Sequence, residues 1–224
     1  MMFDRWLAGK ASTDQSSDPF EIDFEWLRQY EPVQEALTKL NGLIRNKNCQ
    51  AEIINTLKKA GKLHAGDFDF TKSDRSEWEA YYVTHADLSH NKVKIVTGTS
   101  VYDADQYIGL AACLGDFDIR VLPKGAISPN ADGGLKITIN GFSVYVRDSF
   151  DFEDWLQPLG YWSYKEKKFV KSLGQLILEK DKTFLWNSSF RAFRKYFNHG
   201  GNFLVYSNLM ELPNFEPFDF SDKN

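Results

Sequence analysis

Residues 135–146 read LKITINGFSVYV, and this stretch decides the fold class. Its two halves, LKITI at 135–139 and FSVYV at 142–146, alternate apolar and polar side chains as half-buried β-strands do. Between them stand Asn140 and Gly141. Asn-Gly between two alternating runs is the strongest short-range signal of a β-hairpin. The stretch therefore predicts two antiparallel strands that turn at Asn140-Gly141.

Further strands are predicted on both sides of this hairpin. The alternation in FDIRVL, residues 117–122, predicts a strand that runs into Pro123. KVKIVTGT at 92–99 and FLVYSNLMEL at 203–212 are also typical of strands, and Asp103 caps a short predicted helix that runs through Cys113. We expect the Phe/Pro/Asp-rich tail that follows to wrap on the surface.

Helical spacing dominates the region before the strands. Asp18, followed by Pro19, has the features of a helix N-cap, and apolar residues recur at helical intervals from there to about residue 61. Pro32 separates the first helix from the second, and Gly61 ends the third. A later amphipathic helix is predicted over 188–197, before Gly200-Gly201.

These patterns predict an α+β fold, in which an N-terminal helical layer packs on a twisted antiparallel sheet. One form that we expect for this sheet is a half-barrel. The predicted organisation is a flexible lead-in at 1–17, a helical subdomain at 18–66, and an antiparallel β-rich domain with two short helices at 67–224.

Composition excludes several classes of protein. With 224 residues, 42% of them hydrophobic and 26% charged, the chain has globular values and enough length for its own core. Its two cysteines rule out a disulfide framework and a four-cysteine zinc site. A net charge of −4 provides no overall basic field that would attract nucleic acid. The sequence contains no run of 18 apolar residues, so we expect no integral membrane segment.

Three aspartates lie close together at the end of the second predicted hairpin strand. Asp148, Asp151 and Asp154 occur in RDSFDFED, residues 147–154. Such carboxylates serve as a general acid/base pair, bind a divalent cation through oxygen, or discourage pairing at a strand edge. Residues i and i+3 of a regular strand point to opposite faces. Asp148 and Asp151 therefore converge only if the chain turns or bulges at Ser149–Phe150.

Other side chains have both a structural and a functional interpretation. His85 lies among aromatic and apolar residues, as structural histidines do, but it is also a candidate base. Arg191 belongs to the basic-aromatic helix 188–197, whose Phe190, Phe193 and Phe197 favour a buried stripe over stacking on bases or a membrane interface. We expect Cys49, near a helix N-terminus, to have a lowered pKa.

Two segments carry a resemblance to a known family. VYVRDSFDFED…LGYW resembles the YVRDSYDFNGDQ…LGFW segment of an uncharacterised bacterial family, and GGNFLVYSNL resembles its GGDFLVFSD segment. Members of that family are commonly encoded beside spike-tip genes of the type VI secretion system. The resemblance implies a delivered toxin, its immunity partner, or a factor that loads an effector. The expected partners are accordingly a cognate immunity protein or toxin, or components of the secretion spike.

A second resemblance bears on mechanism. Colicin M-like toxins, which cleave the peptidoglycan precursor lipid II, carry an Asp-x-Tyr-Asp-Phe segment on a β-rich catalytic domain. Asp148, Phe150, Asp151 and Phe152 are similar to that segment, with Phe in place of Tyr. In those toxins a His-Arg pair follows, but Gln157-Pro158 stands at that place here.

The two resemblances together imply an antibacterial effector that attacks the cell envelope. Its catalytic residues would be Asp148 and Asp151, with His85 or Arg191 replacing the missing His-Arg pair, and a divalent cation is the cofactor considered. The protein would reside in the cytoplasm of the producer and act in the periplasm of the target cell. The alternatives are an immunity protein that neutralises a cognate toxin and a non-catalytic adaptor.

Overall fold

A computed structural model describes residues 20–88, 114, 117–150, 158–165, 168–170, 182–198 and 203–222. Within these ranges the chain forms helices and antiparallel strands, so the predicted α+β class is confirmed. The α-helices are α1 (Phe24–Leu27), α2 (Glu31–Leu43), α3 (Lys47–Lys59), α4 (Arg75–Tyr81) and α5 (Asn187–Phe197). The strands are β1 (Phe20–Ile22), β2 (Gly66–Asp69), β3 (Thr84–Leu88), β4 (Phe117–Pro129), β5 (Leu135–Phe150), β6 (Pro158–Ser163), β7 (Lys168–Val170), β8 (Lys182–Trp186), β9 (Phe203–Ser207), β10 (Met210–Glu211) and β11 (Phe218–Asp222).

Some sequence predictions fall outside these ranges. The flexible lead-in at 1–17, the strand at 92–99, the helix that begins at Asp103, and His199 all lie outside the described residues.

The chain divides into two compact units that interleave along the sequence. The first comprises Met1–Phe20, Ser89–Phe117 and Asp148–Val205, and includes α5 and a three-stranded sheet in the order β7-β6-β8. The second comprises Glu21–Leu88, Asp118–Arg147 and Tyr206–Asn224, and includes helices α1 to α4.

The larger sheet has eight strands and is not closed. Its main path runs β1-β9-β5-β4-β2, while β10 and β11 also pair with β5 and β3 pairs with β4. The centre is the long antiparallel pair β4–β5, whose register extends from Asp118 opposite Arg147 to Pro129 opposite Leu135. Buried side chains from the sheet and the helices form the core, and Phe24, Phe70, Phe142, Tyr145 and Tyr206 are among the largest fully buried residues.

The predicted hairpin turn at Asn140-Gly141 is wrong, because β5 continues unbroken through both residues. Lys124 faces Gly141 whereas Gly125 faces Ile139, so Asn140 is the extra residue of a β-bulge. The prediction that the preceding strand stops at Pro123 is also wrong, since β4 runs on to Pro129. Asn-Gly here bends a long strand instead of reversing it.

The actual reversal between β4 and β5 lies at residues 130–134, in the sequence NADGG. The Asn130 amide donates to the Gly134 carbonyl at 2.8 Å, and the Gly133 amide donates to the Asn130 carbonyl at 3.1 Å. Gly133 has φ of 86°, a conformation that glycine adopts without steric cost. The chain reverses here and not at Asn140-Gly141.

The N-terminal helices agree with the prediction in number but not in their first cap. Phe20–Ile22 is a strand, so Asp18 does not begin the first helix; the side chain of Asp23 accepts from the Glu25 amide at 3.1 Å and caps α1. Pro32 lies in the first turn of α2, and Gly61, with φ of 65°, follows the end of α3. Both agree with their predicted roles.

The C-terminal tail contributes a strand to the sheet. Phe218–Asp222 pairs antiparallel with residues 135–139 of β5. Asp219 accepts from the Thr138 hydroxyl at 2.7 Å and pairs with Lys136 Nζ at 2.7 Å. The hydrogen bonds from Lys136 and Thr138 lower the pKa of Asp219.

Replacing Gly125 by alanine tests the packing at the β-bulge. An added Cβ would collide with the backbone carbonyl oxygen of Thr138, so we expect Gly125→Ala to lower the free energy of unfolding by about 1–3 kcal/mol, the usual range for overpacking. Gly42→Ala is the control, because its Cβ would meet nothing within 4 Å and alanine favours helix by about 0.5–1 kcal/mol. Urea unfolding measures both, and equal stability of Gly125→Ala and the unmodified chain would contradict the bulge geometry.

Candidate functional site

Asp148, the first of the predicted catalytic aspartates, is 8% exposed near the end of β5. Its Oδ1 accepts a hydrogen bond from the Ser149 amide at 2.7 Å. Of the turn or bulge predicted at Ser149–Phe150, the turn is wrong, because both residues continue the strand, and the bulge stays a prediction. Asp151 and Asp154 lie outside the described residues, so the convergence of Asp148 and Asp151 stays a prediction.

His85 and Arg191, the candidates to replace the His-Arg pair, belong to different compact units. The His85 side chain is half-exposed on β3, and its Nε2 lies 3.3 Å from Asp87 Oδ1. Arg191 is half-buried in α5 and belongs to the same unit as Asp148. Partnership of Asp148 with either residue therefore stays a prediction.

The basic-aromatic helix exists, but its buried stripe is shorter than predicted. Phe190 is buried, whereas Phe197 is 55% exposed and the neighbouring Tyr196 is more exposed still. The helix ends at Phe197, and Asn198 follows in the left-handed conformation with φ of 52°. The prediction of a continuous buried stripe through Phe197 is wrong, because the last turn of α5 faces solvent.

Cys49 lies in the first turn of α3, yet its pKa moves in the direction opposite to the prediction. Burial, followed by the charge of Glu52, raises the pKa of the thiol to about 12. The Asn46 side chain already accepts from the Cys49 amide at 2.8 Å. Desolvation of the thiolate therefore outweighs the field of the helix N-terminus, and Cys49 is a core residue that stays protonated at neutral pH.

A cluster of charged and phenolic side chains in the second unit was not found from the sequence. We call it the Glu79 cluster, after the carboxylate at its centre. It brings together residues from α4, β4, β5 and β9. Its members are Glu79, Asp118, Arg120, Tyr145, Arg147 and Tyr206.

Glu79 receives three of these side chains. Arg120 Nη1 donates to Glu79 Oε2, and the Tyr145 hydroxyl donates to Oε1 at 3.2 Å. Arg147 Nε lies 3.5 Å from Oε2. A second carboxylate, Asp118, accepts from Arg120 Nη2 at 3.1 Å. Arg120 is therefore shared by two carboxylates, whereas Arg147 contacts only Glu79 among the acidic residues that the structure describes.

The register of the central strand pair explains why these residues meet. Arg120 is directly opposite Tyr145, and Asp118 is directly opposite Arg147. Because side chains alternate along a strand, all four lie on one face of the sheet. Helix α4 lies over this face through Trp78, whose ring centroid is 5.0 Å from that of Tyr145. Glu79 directly follows Trp78 in α4 and therefore also lies over the pair.

Burial and the neighbouring charges fix the protonation states of the cluster's side chains. The Arg120 side chain is 10% exposed, and its guanidinium carbon lies 4.6 Å from the centroid of Tyr82. Burial alone would lower the pKa of Arg120, but the Glu79 and Asp118 carboxylates outweigh it and raise the pKa. Burial, and then the charge of Glu79, raises the pKa of Tyr145 and of Tyr206. Arg120 therefore remains a cation, and both phenols remain protonated donors.

The cluster contains more buried donors than acceptors. Within the described ranges, the Tyr206 hydroxyl and the Nε atoms of Arg120 and Arg147 are buried without a hydrogen-bond acceptor. Besides burial, Glu79 raises the pKa of the Tyr206 hydroxyl, whereas Arg147 and Arg120 lower it, so this hydroxyl lies among the charges of the cluster. Buried polar groups in proteins nearly always have partners, so these orphaned donors mark an unusual site.

No local pattern in the sequence identifies this cluster. In FDIRVL the apolar Phe117, Ile119 and Val121 alternate with Asp118 and Arg120, so the pattern places Arg120 on the polar face of the strand. The structure buries that face under α4, and a buried charge requires partners. These partners are distant in the sequence, so no local spacing points to them.

The described residues contain neither a candidate metal-ion cluster nor a candidate membrane-spanning helix. No group of three or more His, Cys, Asp or Glu side chains there could hold a metal ion. None of the helices found in these ranges is both long and apolar enough to span a bilayer.

The two buried tyrosines provide a matched test of the cluster. Tyr145→Phe removes a hydrogen bond to Glu79, so we expect a loss of about 1.5–3 kcal/mol in the free energy of unfolding, the range for a bond to a charged group. Tyr206→Phe removes a hydroxyl that has no acceptor, so we expect unchanged or slightly increased stability. Chemical denaturation measures both variants. Equal losses in the two variants would contradict this assignment.

Comparison with known proteins places the whole chain in one family. The comparisons with curated proteins and with solved structures gave no match. Residues 6–221 match the model of a family of unknown function, DUF6402. Because the match spans nearly all of the 224 residues, the chain belongs to the DUF6402 family.

Proposed function

We propose that this protein is an antibacterial effector associated with type VI secretion, and that it acts on the cell envelope of a competing bacterium. The observation that carries the proposal is Asp148, a carboxylate that is 8% exposed and lies within the RDSFDFED segment. Aspartate is almost never buried to this extent unless it is paired, and a buried, paired carboxylate is compatible with a catalytic role. The resemblance of that segment to secretion-associated and colicin M-like sequences supports a role in toxicity toward other bacteria.

In this proposal, hydrolysis of an envelope precursor such as lipid II uses the two aspartates differently. Asp148 orients the attacking water or polarises its partner, because the backbone bond from Ser149 fixes one of its oxygens. Asp151 binds a divalent cation or holds the base. His85 and Arg191 are the candidates for the remaining proton transfer. In the producing cell the protein would stay in the cytoplasm, with a secretion spike or an immunity protein as its partner.

The second candidate is an immunity protein that binds and neutralises a cognate toxin. It is favoured by the distribution of charge, since the second compact unit holds 18 acidic and 14 basic residues while the first holds 13 of each. The net charge of −4 therefore resides in one unit. An acidic surface suits a cationic toxin cleft and accelerates association.

The test is expression in a sensitive host, once in the cytoplasm and once exported to the periplasm. We expect killing only on export, and we expect Asp148→Asn to reduce that killing by about 100-fold or more, the effect typical of losing a group that assists proton transfer at the attacking water. Asp67→Asn is the matched control, since Asp67 is exposed on β2. Thermal midpoints of both variants must equal that of the unmodified protein, so that a loss of killing reports chemistry and not unfolding.

Each result separates the candidates. Full killing by Asp148→Asn would contradict a catalytic role for this residue. Harmlessness of the unmodified protein in both compartments would contradict the effector, and protection of a host that expresses a neighbouring toxin would establish immunity.

A further inference from the structure

The aromatic face of α5 is buried at its start and exposed at its end. Phe193, Tyr196 and Phe197 lie at i, i+3 and i+4, so they share one face of the helix. The ring centroid of Phe197 lies 4.7 Å from that of Phe193 and 4.8 Å from that of Tyr196, so the three rings form one cluster, which we call the aromatic end of α5. Phe190, one turn earlier, is 7% exposed, whereas Tyr196 is 83% exposed. The face therefore begins in the core of the first unit and ends in solvent.

Exposed aromatic side chains are unevenly distributed between the two units. In the described ranges the exposed large hydrophobic residues all belong to the first unit, and they are Tyr164, Trp186, Tyr196 and Phe197. Trp186 directly precedes α5, so each end of this helix has an exposed ring. Trp and Tyr are enriched where proteins meet the interface of a bilayer, and grouped exposed apolar side chains mark interaction sites.

The sequence around the aromatic end of α5 has an excess of positive charge. Although the chain has 31 acidic residues, residues 182–210 include no aspartate or glutamate, and their basic residues are Lys182, Arg191, Arg194 and Lys195. At about 100° per residue, Arg194 and Lys195 flank the aromatic face on opposite sides, and both are exposed. Aromatic and basic side chains are separated more sharply in α5 than apolar and polar ones are in α2 or α3. This pattern is typical of helices that lie in the interface of an anionic bilayer.

We propose that the aromatic end of α5 docks on the surface of a lipid bilayer that contains anionic lipids. Tyr196 and Phe197 enter the headgroup region, while Arg194 and Lys195 contact the lipid phosphates. A bilayer surface suits both features of this helix, because it offers apolar depth to the rings and negative charge to the cations. The proposal goes beyond the suggested attack on the envelope and holds without it, since it involves neither Asp148 nor toxicity.

The experiment is cosedimentation of the full chain with large unilamellar vesicles, made either of phosphatidylcholine alone or of phosphatidylcholine mixed with phosphatidylglycerol. We expect binding to the mixed vesicles to be at least about tenfold tighter, because each basic residue near an anionic surface contributes a factor of about five. Tyr196→Ser and Phe197→Ser should each weaken this binding by about tenfold, somewhat less than full burial of a ring would give.

Matched variants separate the docking site from general effects of charge and hydrophobicity. Phe197→Leu keeps most of the apolar surface and should weaken binding less than Phe197→Ser does. Lys195→Gln should weaken binding by about fivefold. Lys58→Gln makes the same charge change at an exposed position of α3 in the second unit and should leave binding unchanged. Thermal midpoints equal to that of the unmodified chain verify that these variants fold.

Three results would overturn the proposal. They are no binding to the mixed vesicles, equal binding to both kinds of vesicle, and binding that neither Tyr196→Ser nor Phe197→Ser weakens. Self-association of the chain that Phe197→Ser abolishes, measured by analytical ultracentrifugation in the absence of vesicle binding, would assign the aromatic end of α5 to a second copy instead. Vesicle binding and killing are separate measurements, so failure of one leaves the other in force.

Discussion

The arrangement of the second unit depends on the buried guanidinium of Arg120. A cation removed from water needs fixed negative partners. The Arg120 side chain is 10% exposed and is held by Glu79 from α4 and Asp118 from its own strand. Removing one partner from such a pair leaves an uncompensated buried charge, at a cost of about 3–5 kcal/mol. The position of α4 over the sheet therefore depends on Arg120 as well as on the packing of Trp78 against Tyr145.

Local patterns were sufficient for the fold class and the helices, but not for the layout of the central strands. Pro32 and Gly61 act through backbone geometry that is local, so their roles were predictable. Asn140-Gly141 was misread because its role depends on the partner strand. Since β4 continues to Pro129, β5 pairs with it from Leu135 to Arg147, so the dipeptide accommodates a bulge and the turn falls at 130–134.

The candidate sites differ in the same way. Asp148 was found because it belongs to a contiguous segment, and its burial is compatible both with chemistry and with fixing the strand end through Ser149. The Glu79 cluster was missed because it assembles residues from distant parts of the chain, and because the alternation of FDIRVL placed Arg120 on the polar face of its strand. Long-range polar contacts of this kind follow from strand register, which the sequence did not provide.

A double-mutant cycle on Glu79 and Arg120 tests most directly whether this pair fixes α4 to the sheet. Glu79→Gln, Arg120→Met and the double variant would be compared by urea unfolding. We expect each single substitution to destabilise the protein, and the double variant to lose at least about 1 kcal/mol less than the sum, as coupled buried partners do. Losses that add to within about 0.5 kcal/mol would show that the two side chains act independently and would contradict the account.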